Sequence, residues 1–144
     1  MDHPSTITRH RFPISSRRLR EPATNPPQLF INITSPYLPW SIKVHALNCP
    51  YVTVDDVLYA IYYSLRTNVT ASEFHLLLSR NDRRRAAHAY EWRYRRHRNT
   101  KTYEEEKHGG VKRVDFLMGH TYFLGVSDIS CSSQPGTWQF NVAW

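Results

Sequence analysis

An arginine-rich stretch between residues 80 and 98 offers the clearest chemistry in this sequence. Eight arginines fall there, with Tyr90, Trp92 and Tyr94 interleaved among them. Guanidinium groups make bidentate contacts with phosphates, and aromatic rings stack on bases. The stretch therefore predicts a polyanion-binding face, whose candidate residues are Arg83, Arg84, Arg85, Arg93, Arg95, Arg96 and Arg98. The alternative, favoured because no named nucleic-acid motif is present, is a solvated helix face whose arginine stems cover aromatic surface and pair with the glutamates at 104–106.

Arg113 and Asp115 form a second candidate, a structural or groove-lining pair. They flank Val114, so a strand through this region would place both side chains on one face. Such a pair can hold a neighbouring strand, cap a helix or line a binding groove. One carboxylate and one guanidinium do not make an acid–base set without a further group, so we expect a structural role.

The eight histidines show no metal-binding pattern, because none pairs with a cysteine or a second histidine at ligand spacing. His108 and His120 would meet only if the connection before residue 110 folded over the turn that follows it. Beside Glu105 or Asp115 they would then suit a small, ribonuclease-like hydrolase. No nucleophile motif or Gly-rich phosphate loop accompanies them. The sequence therefore predicts no catalytic residue, no metal site and no cofactor.

The net charge of +7 is concentrated in two segments. Residues 1–24 carry +3 and residues 80–101 carry +7, while the rest carries −3. No stretch reaches the ~18 consecutive apolar residues of a membrane span, and residues 1–20 lack an apolar signal core. We therefore expect an intracellular protein, cytoplasmic or nuclear, with no membrane partner. Cys49 and Cys131 are expected to be buried free thiols, with a single bridge between them as the alternative.

The composition predicts two regions along the 144 residues. Residues 1–28 are rich in Pro, Ser and Arg and have no apolar period, which indicates a disordered or loosely packed basic arm. Residues 29–144 suit a single domain with its own core.

Within that domain, apolar alternation predicts strands at 29–33 and 40–46, and capped apolar stripes predict three helices. Thr53 with Asp56 and Thr70 with Glu73 have the spacing of capping boxes. The helices start at Thr53, at residue 71 and at residue 83, and the third is expected to be capped by Asn81 or Asp82. Residues 99–110 are expected to be a polar connection.

A β-hairpin is predicted at residues 110–126, with Gly119 and His120 as its two-residue turn. Val114, Phe116 and Met118 alternate along its first strand, and residues 138–144 form a final strand. Because strands and helices are segregated along the chain, we expect an α+β fold. It would consist of an antiparallel sheet of about five strands with about three α-helices packed on one face.

Several motifs resemble those of one uncharacterised family of proteins from mushroom-forming (basidiomycete) fungi, catalogued only as a domain of unknown function. They are Pro39-Trp40, the helix segment 53–61, the arginine-rich segment 90–96, the segment 110–117 and Phe123-Leu124-Gly125-Val126. The resemblance covers roughly residues 38–144. It implies a fungal, intracellular protein, and it brings no known activity and no functional residues.

Three functions remain open on the sequence. The leading prediction is a non-enzymatic protein-interaction module with an unknown protein partner. The second is binding of nucleic acid or another polyanion through the arginine-rich helix. The third is the small hydrolase described above.

Overall fold

The computed structural model describes residues 8–9 and 12–144, and the chain forms two compact units. The sheet unit comprises the described residues up to 35, together with 40–64 and 122–143, and the helical unit comprises residues 36–39, 65–121 and 144. The strands are β1 (Thr8–Arg9), β2 (Phe12–Pro13), β3 (Phe30–Ser35), β4 (Leu38–His45), β5 (Tyr122–Asp128) and β6 (Thr137–Ala143). The helices are α1 (Ser16–Leu19), α2 (Val54–Arg66), α3 (Ala71–Leu77), α4 (Arg80–Arg95) and α5 (Thr100–His108).

The main sheet has four strands in the order β4-β3-β6-β5, and it is mixed. β6 runs parallel to β3, with Ile33 opposite Trp138, and antiparallel to β5, with Val126 opposite Phe140. The α+β class is therefore confirmed, but the prediction of an antiparallel sheet of about five strands is wrong. The apolar alternation of β6 is the same beside any neighbour, so it could not reveal that β6 lies next to β3.

The two strands predicted before the helices are confirmed, and both alternate in burial. Ile31 and Ile33 of β3 are buried, as are Ile42 and Val44 of β4, whereas Lys43 between them is exposed. This period of two is the signature of a sheet with one face against a core. Phe140 of β6 is buried in the same way.

The predicted capping box of α2 is confirmed. The Asp56 N–H donates to Thr53 Oγ1 at 3.1 Å, and the Thr53 N–H donates to Asp56 Oδ2 at 2.9 Å. Val52 before the cap and Val57 after it are both buried, as a hydrophobic staple requires. The start of α2 is thus fixed by four residues close together in sequence.

The helical unit contains one α-helix more than the sequence predicted. The Thr70–Glu73 capping box of α3 is confirmed, with the Glu73 N–H 3.2 Å from Thr70 Oγ1. α4 begins at Arg80 and is capped by Ser79, so the prediction of an Asn81 or Asp82 cap is wrong. The predicted polar connection at 99–110 is also wrong, because Asn99 Oδ1 accepts from the N–H of Lys101 and caps α5.

The first strand of the predicted hairpin is absent from the described chain. A 3-10 helix runs from Arg113 to Leu117, and three consecutive residues within it, Asp115 to Leu117, are buried. A strand with one buried face cannot bury consecutive side chains, so the apolar alternation was misleading here. Met118 then adopts a left-handed conformation with φ 51°, and β5 pairs with β6 instead of with this segment.

The predicted arm lies partly outside the described residues. Its described part includes α1, whose Ser15 cap accepts from the Arg18 N–H. The Ala23 N–H donates to the Val52 carbonyl at 2.9 Å, and the Val54 N–H donates to the Glu21 carbonyl at 3.1 Å. These bonds join residues 21–23 to the segment that starts α2. The division of the chain at residue 28 stays a prediction.

Candidate interaction surfaces

Arg93 lies inside the helical unit, with only 11% of its side chain exposed. Its Nε and Nη2 donate to the two carboxylate oxygens of Asp115 at 2.9 and 3.0 Å, a bidentate pair. Nη2 also donates to the Gly110 carbonyl at 2.9 Å. Asp115 is 2% exposed and accepts a further bond from the Lys112 N–H at 2.8 Å. Arg93 is therefore a structural residue and is not available to an external polyanion.

Glu106 of α5 completes this charge cluster. It accepts from Arg93 Nη1, from Lys112 Nζ at 2.9 Å and from Arg66 Nη2 at 3.2 Å. Burial opposes ionisation of Glu106, but the Lys112 hydrogen bond and the three positive charges outweigh it and lower its pKa. Burial likewise opposes the charge on Arg93, but the bond and charge of Asp115 together with Glu106 raise its pKa. The cluster joins α4, α5 and the 3-10 helix.

The structure gives Asp115 different partners from the strand-face arrangement that the sequence suggested. The strand face that was expected to carry Arg113 and Asp115 together does not form, and the Asp115 carboxylate is bonded to Arg93 and Lys112. The backbone N–H of Arg113 donates to the Thr67 carbonyl at 2.9 Å. A structural role for Asp115 is what the geometry shows, with a partner 22 residues earlier in the chain.

The other six predicted arginines divide into two groups. Three have partners close in sequence: Arg83 contacts His75 Nδ1 at 2.9 Å, Arg85 lies 3.8 Å from Asp82, and Arg95 lies 2.6 Å from Glu91. Arg84, Arg96 and Arg98 are exposed, and no carboxylate of the described chain lies within ion-pair distance of them. Exposed arginines therefore lie along α4 and directly after it, and Arg93 is not among them.

A solvent-open groove of about 720 Å³ lies against α4 in the helical unit. Its lining residues are Asn81, Arg84, Arg85, Ala87, His88, Glu91, Met118 and Trp144. The Arg85 guanidinium carbon lies 6.0 Å from the centroid of the Trp144 ring. Sequence reasoning missed this groove, because Met118 and Trp144 are far from α4 along the chain.

The two histidines considered for hydrolysis occupy separate environments. His108 is exposed at the end of α5, with Nδ1 2.8 Å from the Glu104 carbonyl. His120 is buried and its Nδ1 lies 2.8 Å from the Leu117 carbonyl. Its ring packs between Tyr37 and Trp144, at centroid distances of 4.5 and 4.0 Å. Each imidazole is thus positioned by a backbone carbonyl of its own segment.

Strand β5 presents an apolar surface at an edge of the sheet. Tyr122, Phe123 and Leu124 are consecutive and are 67%, 38% and 67% exposed. The register with β6 shifts between Phe123 and Gly125, which places a bulge at Leu124. Gly125 has φ 112°, and a Cβ there would meet no atom within 4 Å. A side chain at position 125 would therefore meet no neighbour among the described residues.

The cysteines are free, as predicted, but the prediction that both are buried is wrong. Cys131 is exposed and Cys49 is partly exposed. A hydrogen bond to Ser133, whose Oγ lies 3.1 Å from Sγ, lowers the pKa of the Cys131 thiol.

Among the residues that the structure describes, no group of three or more His, Cys, Asp or Glu side chains could hold a metal ion. Of the described helices, none combines the length and the apolar character that crossing a membrane requires.

Comparison with known proteins identifies one family. Its model matches residues 1–136, which includes the segment predicted as an arm, and the family is described as one of unknown function. No curated protein and no solved structure matches the chain. The family therefore brings no activity to this chain.

Proposed function

The chain belongs to the DUF6699 family of unknown function, and from that premise we propose that it is a non-enzymatic protein-interaction module that binds through edge strand β5. The observation that supports this proposal is the exposed apolar run Tyr122-Phe123-Leu124 on an outer strand. Unprotected edges with exposed apolar side chains are costly for a protein to maintain, because they pair with other chains. Such an edge is a reason to look for a partner.

The partner that suits this edge is an extended segment of another protein. A strand added beside β5 would satisfy the outward backbone N–H and C=O groups and place alternate side chains against Tyr122 and Leu124. Gly125 has no Cβ, so a partner backbone can approach closely there. Phe123 stacks on Phe140 at 5.5 Å, which holds the strand to the core while its neighbours face outward.

Selection from a displayed random-peptide library tests this proposal. We expect enriched peptides to be apolar at alternating positions and to lose at least tenfold in affinity for Leu124→Lys, since a charge on an edge strand opposes pairing. Leu47→Lys is the matched control, because Leu47 is 73% exposed in the same unit but lies outside β5. The proposal fails if no peptide is enriched, or if enriched peptides bind Leu124→Lys as well as they bind the unmodified protein.

The proposal also includes origin and compartment. The resemblance at residues 53–61 and 110–117 supports a basidiomycete fungal protein that acts inside the cell, in the cytoplasm or the nucleus. Imaging of a fluorescent fusion in a basidiomycete host tests the compartment, and a secreted or vacuolar signal would contradict it.

A second candidate function is polyanion binding by the outward arginines of α4 and the residues after it. Its specific support is that Arg84, Arg96 and Arg98 are exposed without a carboxylate of the described chain nearby. Anisotropy titrations with RNA and DNA at about 50 and 200 mM salt test it, because phosphate contacts predict a steep loss of affinity with salt. Absence of binding at the lower salt would rule it out.

A further inference from the structure

We propose that the groove against α4 binds single-stranded nucleic acid, with Trp144 as a stacking platform for one base and with Arg84 and Arg85 as phosphate contacts. This inference rests on the second candidate function and makes it specific, by naming the site and the class of ligand. All the residues involved lie in the helical unit.

Trp144 has the properties of a stacking platform. Its side chain is 68% exposed, although its ring packs on buried His120 at a centroid distance of 4.0 Å. Gly119 lies beneath the indole so closely that a Cβ there would come within 2.9 Å of Trp144 Cζ3. The ring is therefore supported from within the unit while much of it faces solvent. An exposed, positioned indole can stack on any base, because every base has a π-face.

The groove also carries the charge that a phosphate backbone requires. Arg84 and Arg85 both line it, and the Arg85 guanidinium carbon lies over the Trp144 ring at 6.0 Å from its centroid, so a base that stacks on this face would displace that flexible side chain toward the phosphate. A phosphate beside a base stacked on Trp144 would therefore lie within reach of a guanidinium, whose planar donors match phosphate geometry. Glu91 is the acidic residue of the lining, and Arg95 lies 2.6 Å from it and offsets its charge.

Stacking on the Trp144 indole would favour single-stranded nucleic acid over other polyanions. In a duplex the faces of the bases are already stacked on one another, so Trp144 has no free face to contact. Heparin and acidic peptides offer charge without bases. The volume of about 720 Å³ falls within the range of ligand pockets, roughly 300–1,000 Å³. The groove is open to solvent.

Fluorescence anisotropy with a labelled single-stranded RNA of about 12 nucleotides tests the inference, since sites of this kind span roughly 4–16 nucleotides. We expect Trp144→Ala to weaken binding by roughly 5- to 100-fold, the range found when a stacking aromatic is removed, and Trp144→Phe to retain part of the affinity. Trp92→Ala is the matched control, because Trp92 is 69% exposed on α4 but does not line the groove. It should change the affinity by less than about twofold.

The arginines are tested by the salt dependence of the same titration. Arg84→Ala and Arg85→Ala should each reduce the slope of log K against log salt by about 0.7, the value for one phosphate contact with a single strand. Circular dichroism melts of every variant establish that each one is folded before its affinity is compared.

The outcomes separate this inference from the function on which it rests. If the arginine variants weaken binding but Trp144→Ala does not, or if duplex DNA and heparin bind as tightly as the single strand, the stacking site is wrong while polyanion binding stands. If neither RNA nor heparin binds at about 50 mM salt, both ideas fail. If Trp144→Ala alone among the two tryptophan variants loses single-strand affinity, the inference is supported.

Discussion

At the scale of single residues, the position of Arg93 distinguishes it, as a buried structural arginine, from the exposed arginines of α4. It lies on the buried stripe of α4, four residues after Ala89 and three after Tyr90, and its partner is the 2% exposed Asp115. Its spacing from Ala86 and Tyr90 is a signal that the sequence contained, since residues three, four and seven apart share a helix face. The sequence could not show that Asp115 is the partner of Arg93, because only the tertiary fold brings these two side chains together.

We expect Asp115→Ala to lower the free energy of unfolding by about 3 kcal/mol, because it removes the bidentate carboxylate partner of the largely buried Arg93 guanidinium and leaves Glu106 as its remaining counter-charge in the cluster. Urea unfolding followed by circular dichroism measures this change. Glu105→Ala is the control, since its pair with Lys101 spans 3.9 Å between side chains that are 64% and 85% exposed. Such a pair contributes at most about 1 kcal/mol. A loss of less than about 1 kcal/mol for Asp115→Ala would contradict a buried structural pair.

Glu106 gives the cluster a pH dependence with a defined sign. Its pKa is lowered in the folded chain, so its contribution to stability is complete above the unfolded pKa, near 4.5, and is lost as the pH falls through the folded value. Glu106→Gln should therefore be less stable than the unmodified protein at pH 7, and the two should converge below about pH 4.5. Urea midpoints from pH 3 to 7 measure this, with Glu105→Gln as the exposed control. If the difference in urea midpoint between Glu106→Gln and the unmodified protein stays constant from pH 3 to 7, the charge of Glu106 is not the cause of that difference.

At the scale of secondary-structure elements, the chain was predictable where local chemistry decides and unpredictable where pairing decides. The starts of α2 and α3 follow from Thr and Asp or Glu three residues apart, which act within one turn. α5 has mostly polar side chains and no buried residue, so its sequence has no apolar periodicity from which the helix could be predicted. The segment 113–117 had the alternation of a strand but forms a 3-10 helix, because Asp115 is bonded to Arg93 and to the Lys112 N–H.

The two capping boxes should differ in cost because they differ in burial. Thr53→Ala removes the acceptor for the Asp56 N–H and creates a defect at a 6% exposed position, whereas Thr70 is exposed. We expect Thr70→Ala to cost about 1 kcal/mol and Thr53→Ala about 2 kcal/mol, the upper part of the range for such caps. Thr53→Ser, which keeps the hydroxyl, should restore most of the loss. Equal costs in urea unfolding for the two alanine variants would mean that burial of the α2 cap adds nothing.

At the scale of the whole molecule, the distribution of charge and of exposed apolar surface could be predicted only in part from the sequence. The excess of positive charge at residues 80–101 could be counted from the sequence. The sequence could not show that Glu106 and Asp115 form ion pairs inside the helical unit. Those pairs leave arginines such as Arg84 to define the outer face of α4. The exposed run on β5 could not be foreseen either, because the sequence does not show that β5 is an outer strand of the sheet.

The two outer strands of the four-stranded sheet should therefore behave differently in solution. β4 carries Pro39 and the exposed Lys43 and His45, and prolines and charges of this kind protect an edge from pairing. β5 exposes Tyr122 and Leu124 instead. We expect the unmodified protein to self-associate as its concentration rises, through β5, and sedimentation velocity measures the shift.

Leu124→Lys should abolish that association by placing a charge on the open edge. Leu47→Lys adds the same charge to an equally exposed position outside β5 and should leave the association unchanged. If both variants lower the self-association equally, the added net charge is the cause, and pairing at the β5 edge is not. If the unmodified protein sediments as a monomer at every concentration, β5 does not pair with itself, and pairing at this edge would require a different segment.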